Sequence, residues 1–416
     1  MKHRPRVLLC CEHYPPSIGG VQEVMRQIAE RLAERGFEVC VATGSHPQRP
    51  GDTVVNGVRV VSFSIKGNLV KGMTGPVMEY QRFLKEGEFD SILIKAAQQW
   101  TFDAAVDVIP LIRARKVFIP CGFSGLHDPR YSAYFENMPE WLRRFDALVF
   151  YSETYQDIEF ARTHGLEQVH LIPNGVDEME FEDVDPGDIR SELGIAKDDD
   201  LVLSVGSLIM AKGHWEVIRA FREVQLQRPA TLVINGNNPH GGLVSSLKRS
   251  LKHALMGRWP MCLEAALASL LPGKKVLITN LPRHKLVQLY SASNLFVFAS
   301  HVEYSPLVLF EAAASGTPFI ASDAGNSREI AAWTGAGVVI DRRKDRQHTC
   351  EVSDLRKAIE LMLADPDLNS LGAAGRRTVL YNGFTWDKIV ERYIDVLNLG
   401  GYATNSAPNS NIRYPR

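Results

Sequence analysis

Short apolar runs alternate with amphipathic helical segments along nearly the whole chain, and that alternation leaves few folds open. The opening residues show the pattern in its simplest form. Arg6–Cys11 reads as a buried strand, and Gly19 and Gly20 lead into Val21–Arg35, where Val21, Val24, Met25, Ile28 and Leu32 recur at helical spacing. Gly36 closes the helix and Val39–Thr43 supplies the next strand. A strand, a helix and a strand in this order open a doubly wound, parallel α/β sheet. Further strands are expected at Val58–Phe63, Ser91–Lys95, Lys116–Pro120, Ala147–Tyr151 and Val169–Ile172. Helices are expected between them at Pro76–Glu86, at Asp103–Arg115 with a kink at Pro110, and at Ser152–His164 with Ser152 as the cap.

The turn cluster Ile172–Asp177 and the acidic segment Glu178–Asp188 interrupt the series, after which it begins again. Strands are expected at Leu201–Val205, Thr231–Ile234, Val276–Thr279, Leu295–Ala299, Pro318–Ala321 and Gly337–Ile340. Helices fall at Trp215–Gln227, Arg283–Ala292, Ser353–Ala364 and Leu368–Tyr381, and Gly242–Leu271 is expected to be mainly helical with a break near Gly257–Pro260. A length of 416 residues suits more than one core. The expected organisation is a Rossmann-like domain over residues 1–180 and a second over 181–382. A helix capped by Thr385 follows over 383–399, with Trp386, Ile389, Val390, Tyr393 and Leu397 on one face, and then a tail over 400–416 expected to be disordered.

Charge and cysteine usage close off several functions. A net charge of −1 gives no electrostatic footprint for nucleic acid. The six cysteines form no C-x-x-C pair and no metal-ligand rhythm, which fits free thiols in a reducing compartment. The apolar run near the start ends at Glu12 and His13 after about six residues, short of a signal-peptide core, and no run approaches the roughly 20 residues of a membrane span. A cytoplasmic protein is the expectation. Tyr131–Phe145 mixes Tyr131, Tyr134, Phe135, Trp141 and Leu142 with Arg143 and Arg144, a patch that suits either peripheral contact with a membrane or packing on its own domain. Asp198-Asp199-Asp200 contains a D-x-D pattern, but it precedes a strand and reads as a solvated turn rather than a metal site.

The stretch with the most chemistry is His301–Ile330. Ser305 and Pro306 start a helix as N-cap and first residue, Glu303 lies in the loop before it, and Glu311 lies about 7.5 Å further along the axis than Pro306. Between the carboxylates lie the N–H groups of Leu307 and Val308, at a helix end whose unpaired donors and positive dipole suit phosphate oxygens. Carboxylates beside an anion site need neutral hydroxyls to face. A sugar on one side and a ribose on the other would provide them, so the stretch reads as a nucleotide-sugar cradle. The alternative is a plain strand–helix unit with two solvated glutamates.

Glu303 and Glu311 at this separation, followed by Ala312–Gly316, Pro318 and Asp323–Asn326, resemble the signature of the retaining glycosyltransferases of family 4, which have the GT-B fold. The resemblance implies two Rossmann-like domains with a cleft between them and a C-terminal helix that crosses back onto the first domain. It implies a nucleotide-diphosphate sugar as donor, UDP- or GDP-linked, a glycan, lipid-linked or small-molecule acceptor, and no metal cofactor. Glu303 then faces the donor sugar and is catalytic together with Lys212, while Glu311 holds the ribose. Ser305, Leu307 and Val308 line the diphosphate, and a backbone group of Leu281 meets the base edge.

The match extends to other segments. Gly19 and Gly20 resemble the glycine-rich first loop that approaches the donor phosphates and acceptor, and Asn174-Gly175-Val176-Asp177 resembles the connector between domains. Gly206 and Lys212 match the phosphate loop after the second domain's first strand, but Ser207 stands where an arginine is usual. Many members carry a histidine where Cys121 stands here, so sugar or acceptor contact is assigned to Cys121, Gly122 and His127, the last either folding back or lying on the surface. Those two departures leave room for a non-catalytic scaffold that binds nucleotide sugar or a partner protein. A phosphorylase-like or epimerase reaction is a further enzymatic alternative.

Overall fold

The computed structural model describes residues 4–237, 261–343 and 349–400. The expected break near Gly257–Pro260 and the tail after Gly400 lie outside them. The described chain divides into two compact units, one built from residues up to Asn174 together with the helix Trp386–Val396, the other from Gly175–Thr385.

The first unit contains β1 (Arg6–Cys10), β2 (Glu38–Gly44), β3 (Thr53–Val55), β4 (Val58–Phe63), β5 (Lys66–Asn68), β6 (Gly72–Thr74), β7 (Ser91–Lys95), β8 (Arg115–Ile119), β9 (Ala147–Phe150) and β10 (Val169–Leu171). Eight of these form one sheet in the order β10-β9-β8-β7-β1-β2-β4-β3, parallel except for the edge strand β3, and β5 and β6 make a separate hairpin. All five residues of β7 are buried, as expected of a parallel strand covered on both faces. Strand order reverses between β1 and β7.

Two expected helices differ. Residues 103–115 do not form one helix: Trp100–Asp103 makes a single turn and Ile109–Leu111 a 3-10 turn around Pro110, which has no N–H to continue a helix. The helix expected from Ser152 begins at Gln156, and the Ser152 hydroxyl instead accepts a bond from Thr154 N at 3.2 Å, a local turn that competes with capping. Of the two readings of Tyr131–Phe145, packing on its own domain is the one observed. Tyr131, Tyr134, Phe135 and Leu142 are buried, and Trp141 packs edge-on to Tyr134 at 5.1 Å, so the stretch keeps no apolar face for a membrane. Among the described residues no helix is long and apolar enough to cross a membrane.

The helix Trp386–Val396 packs on the helix Gly20–Glu34 within this unit, burying Trp386, Ile389, Val390 and Tyr393. Each such side chain contributes roughly 1.5–3 kcal/mol on leaving water. Arg115 Nε donates to Val396 O at 2.6 Å and Ser91 Oγ to Leu397 O at 2.7 Å, fixing the helix to the sheet.

The second unit has β11 (Asp200–Val205), β12 (Ala230–Asn235), β13 (Lys274–Thr279), β14 (Leu295–Phe298), β15 (Phe319–Ser322) and β16 (Gly337–Ile340). They form one all-parallel sheet in the order β13-β12-β11-β14-β15-β16. The chain winds outward from β11 through β13, then returns to β14 on the other side of β11. The reversal lies between β11 and β14. Asp200 is not part of a solvated turn: it is the first residue of β11, is buried, and accepts from Arg228 Nη2 at 2.8 Å.

Candidate functional site

In open α/β sheets ligands bind beyond the carboxyl ends of the strands where strand order reverses. In the second unit that place is formed by the loops after β11 and β14. The first runs through Gly206 and Ser207 into the 3-10 turn Met210–Lys212. Gly213 ends it in the left-handed region at φ 69°, where an added Cβ would stand 1.9 Å from Ala299 O. Only glycine lets the two loops approach so closely. They are then sewn together, since Ala211 O accepts from His301 N at 2.8 Å and lies 3.0 Å from Ser300 Oγ.

This seam brings the two expected catalytic side chains into contact. Lys212 Nζ donates to Glu303 Oε1 at 2.5 Å, and Ser300 Oγ reaches the same oxygen at 2.8 Å. The Lys212 stem passes over Gly206, where a Cβ would come within 3.4 Å of its Cγ. Below the loop His214 is fully buried, with Nε2 3.2 Å from Gly206 O and Nδ1 3.2 Å from Ser204 Oγ. Burial lowers its pKa to about 4, only partly offset by the Gly206 carbonyl.

The helix after Glu303 spans Leu307–Ala314, with Pro306 as its N-cap. The expected capping role of Ser305 is therefore corrected. Proline's φ of −72° is compatible with either position, but ψ of 115° leaves it outside the helix, and no side chain caps this end. The N–H groups of Leu307 and Val308 belong to the first turn, where the helix itself supplies no acceptor. Ser305 sits one residue before the cap. Glu311, in the second turn, is buried, and its Oε1 is 2.8 Å from Arg283 Nη1. Arg283 begins the helix Arg283–Ala292 two residues after Leu281.

Leu281 N donates to Asn235 Oδ1 at 2.8 Å. Ser207 Oγ donates to Asn237 Oδ1 at 3.0 Å and brings no charge. Gly206, Ser207, Lys212, Glu303, Ser305, Leu307 and Val308 thus share one end of one sheet, Leu281 follows β13 at the same end, and Glu311 lies one turn further along the helix, paired with Arg283.

The remaining expected residues lie in the first unit. Gly19 precedes the helix Gly20–Glu34, which starts without a side-chain cap. Cys121, Gly122 and Phe123 all have positive φ, at 64°, 91° and 49°, and the turn is held by Gly122 N donating to Asp157 Oδ2 at 2.8 Å. Burial pushes the Cys121 thiol above its ordinary range. His127 is exposed and lies on the surface. Next to this loop, at the reversal of the first sheet, the fully buried Lys95 donates to Tyr151 OH at 2.6 Å.

Several residues here were not foreseen. Ser300 had a readable signal, the Ser-x-x-Glu spacing to Glu303. Asn235, at the last position of its strand, had a weaker one. Arg283, His214 and Lys95 had none, because only the fold brings their partners to them.

Residues 186–378 match the family described as Glycosyl transferases group 1, and residues 18–180 match Glycosyltransferase Family 4. D-inositol 3-phosphate glycosyltransferase from Xylanimonas cellulosilytica is 24% identical, over 94% of this chain and 96% of its own length. Sucrose-phosphate synthase from Thermosynechococcus elongatus shares the fold with a TM-score of 0.73 at 20% identity, covering 96% of this chain and 100% of that one. HepE from Anabaena, solved in complex with UDP-glucose, does so with a TM-score of 0.67 at 18% identity, over 95% of this chain and 99% of that one.

Proposed function

Because the chain belongs to the GT-B glycosyltransferases of family 4, we propose that it is a retaining enzyme that moves a sugar from a UDP- or GDP-linked donor to a glycan, lipid-linked or small-molecule acceptor. The observation that carries this reading is the Lys212–Glu303 pair at an uncapped helix start, with Glu311 one turn further in. Departure of a nucleoside diphosphate builds negative charge on its phosphate oxygens. Lys212 and the N–H groups of Leu307 and Val308 meet that charge as donors already in place, which is where electrostatic catalysis is most effective. Glu303 orients hydroxyls of the donor sugar and faces the positive charge that develops on its ring. Glu311 accepts from the ribose diol.

No side chain is assigned as general base. In the retaining reaction the departing phosphate takes the proton of the attacking hydroxyl on the face it leaves. UDP-glucose in the HepE complex supports a nucleotide-sugar donor, and the inositol-phosphate enzyme supports a small-molecule acceptor. The transfer is proposed to need no divalent metal.

The test is a panel of UDP-, GDP- and ADP-sugars against the purified protein. Ligands that bind only the folded state raise its melting temperature. The sugar released by slow hydrolysis, or transferred to an acceptor, is then followed by NMR for its anomeric configuration. A matched donor should stabilise the protein and yield product with the donor's configuration. An inverted product would remove the retaining assignment, and absence of both binding and turnover would remove the function.

A further inference from the structure

Arg283 ties the second glutamate of the site to Glu180, a carboxylate 103 residues before Arg283 in the chain. Its Nη1 stands 2.8 Å from Glu311 Oε1, while Nε and Nη2 reach Glu180 Oε2 at 3.0 and 2.6 Å. The guanidinium also lies over the Phe181 ring, 5.5 Å from its centroid. Glu180 and Phe181 belong to the short helix Glu178–Phe181, near the start of the second unit. Burial works against the charge of Arg283, but Glu311 and Glu180 together hold its pKa above the ordinary value.

A guanidinium is a rigid planar fork, so its donors point in fixed directions. With one edge held by Glu180 and one face on Phe181, Nη1 is placed to face Glu311 Oε1, and the buried Tyr290 hydroxyl is the carboxylate's other partner. Glu311 is 9% exposed, and a carboxylate so placed is costly without a counter-charge. A carboxylate offers about four lone-pair sites, so the ion pair with Arg283 and the Tyr290 hydroxyl still leave acceptors for both hydroxyls of a diol.

Resting on the reading in which Glu311 holds the ribose, we propose that Arg283 is the positioning residue for that carboxylate. It fixes Glu311 in the orientation that receives the ribose hydroxyls, and so sets the preference for ribose over 2′-deoxyribose in the nucleotide. Glu180 acts through Arg283 and has a smaller share in the same preference. Had Arg283 been only a cross-link between two helices, its loss would weaken all ligands alike.

Calorimetric titration separates these cases. Wild type, Arg283→Gln, Arg283→Lys, Glu180→Gln and Glu311→Gln are each titrated with UDP and 2′-deoxy-UDP, and with GDP and 2′-deoxy-GDP. Wild type should bind one ribonucleotide about tenfold or more tightly than its deoxy form, the size expected of hydrogen bonds to a charged group. Glu311→Gln should bring that ratio close to one. Arg283→Gln should reduce it to within about threefold of one with deoxynucleotide affinity unchanged, Arg283→Lys should fall between, and Glu180→Gln should show the smallest drop.

An unaltered ratio in the Arg283 variants, with Glu311→Gln abolishing it, overturns the proposal and leaves the ribose reading intact. If Arg283→Gln does not fold, an unaltered ratio in both Arg283→Lys and Glu180→Gln has the same force. A ratio that survives Glu311→Gln, or none in wild type, removes the ribose reading and the proposal with it.

Discussion

The Lys212 ammonium and the Glu303 carboxylate stand 2.5 Å apart where the second sheet reverses its strand order. Their side chains are 26% and 13% exposed, so the pair is already partly withdrawn from water. A donor diphosphate arriving beside Lys212 and sugar hydroxyls arriving beside Glu303 would exchange one set of partners for another. Neither charge then has to be stripped from bulk solvent at the moment of binding. On the proposed reading the two residues have separable jobs, one on the leaving group and one on the sugar.

Glu303→Ala is expected to act mainly on turnover. A charge that matters most as the sugar becomes cationic belongs to the transition state, and removing such a group lowers kcat by about a hundredfold, or roughly 3 kcal/mol. Donor KM should move by only a few-fold. Steady-state kinetics with the matched donor checks this, and normal kcat in both Glu303→Ala and Glu303→Gln would end the assignment.

Glu311→Ala should show the reverse division. A ribose contact is made equally in ground and transition states, so its loss raises donor KM and leaves kcat within a few-fold. The expected rise is about ten- to a hundredfold, the size of roughly 1.5–3 kcal/mol for hydrogen bonds to a charged group. Unchanged donor kinetics would show that the ion pair with Arg283 is purely structural.

Seven strands of the first sheet and all six of the second were legible in the sequence because parallel strands covered on two faces are continuous apolar runs, as in β7 and β11, where every residue is buried, whereas the short, partly exposed β3, β5 and β6 carry no such run. The positions of Glu303 and Lys212, each in a loop after such a run, were legible, while the roles proposed for them come from the family resemblance. The helix start was misplaced by one residue, since proline's fixed φ serves both the cap and the first helical position and only ψ distinguishes them. Residues 103–115 carry helix-like spacing that Pro110 defeats. Arg283 was illegible for a different reason. Its partners are a helix turn later in the chain and a carboxylate far earlier, and neither spacing has a period to detect.

Activity should survive chelation. The positive groups proposed for the diphosphate are Lys212 and a helix start, and the D-x-D pattern that ends in Asp200 lies at the amino end of β11. That end is roughly 17 Å from Val205 and the loop bearing Lys212, at about 3.3 Å per residue. Asp200 is moreover engaged with Arg228. Transfer or donor hydrolysis should therefore be unchanged by EDTA, and strict dependence on a divalent ion would count against the proposed charge arrangement.

Gly213→Ala should damage the seam between the two loops far more than a left-handed glycine elsewhere in the unit. At Gly335, with φ 64°, an added Cβ meets nothing within 4 Å, so Ala there costs about 1 kcal/mol of backbone strain. At Gly213, with φ 69°, the same Cβ would lie 1.9 Å from Ala299 O, a backbone atom that cannot swing away. The expected loss is about 2–4 kcal/mol, seen in urea unfolding, together with lower activity as Lys212 and Glu303 separate. Equal effects at the two glycines would mean that the loops do not touch as described.

The pH dependence of stability should carry the mark of His214. Its Nε2 faces the Gly206 carbonyl, which only accepts, so that nitrogen holds the proton and Nδ1 accepts from Ser204. The neutral ring satisfies both neighbours, and burial holds the folded pKa at about 4 against an ordinary 6.5. Between those values the unfolded chain binds the proton and the folded one does not. The contribution is therefore complete above pH 6.5 and is lost as pH falls through 4, by up to about 3 kcal/mol at roughly 1.4 kcal/mol per pH unit. His214→Gln should be less stable than wild type at pH 7.5, yet the gap should close by about 2–3 kcal/mol by pH 4.5 in paired urea titrations. A gap that stays constant would mean the ring titrates alike in both states, and that the loop carrying Lys212 does not rest on a neutral histidine.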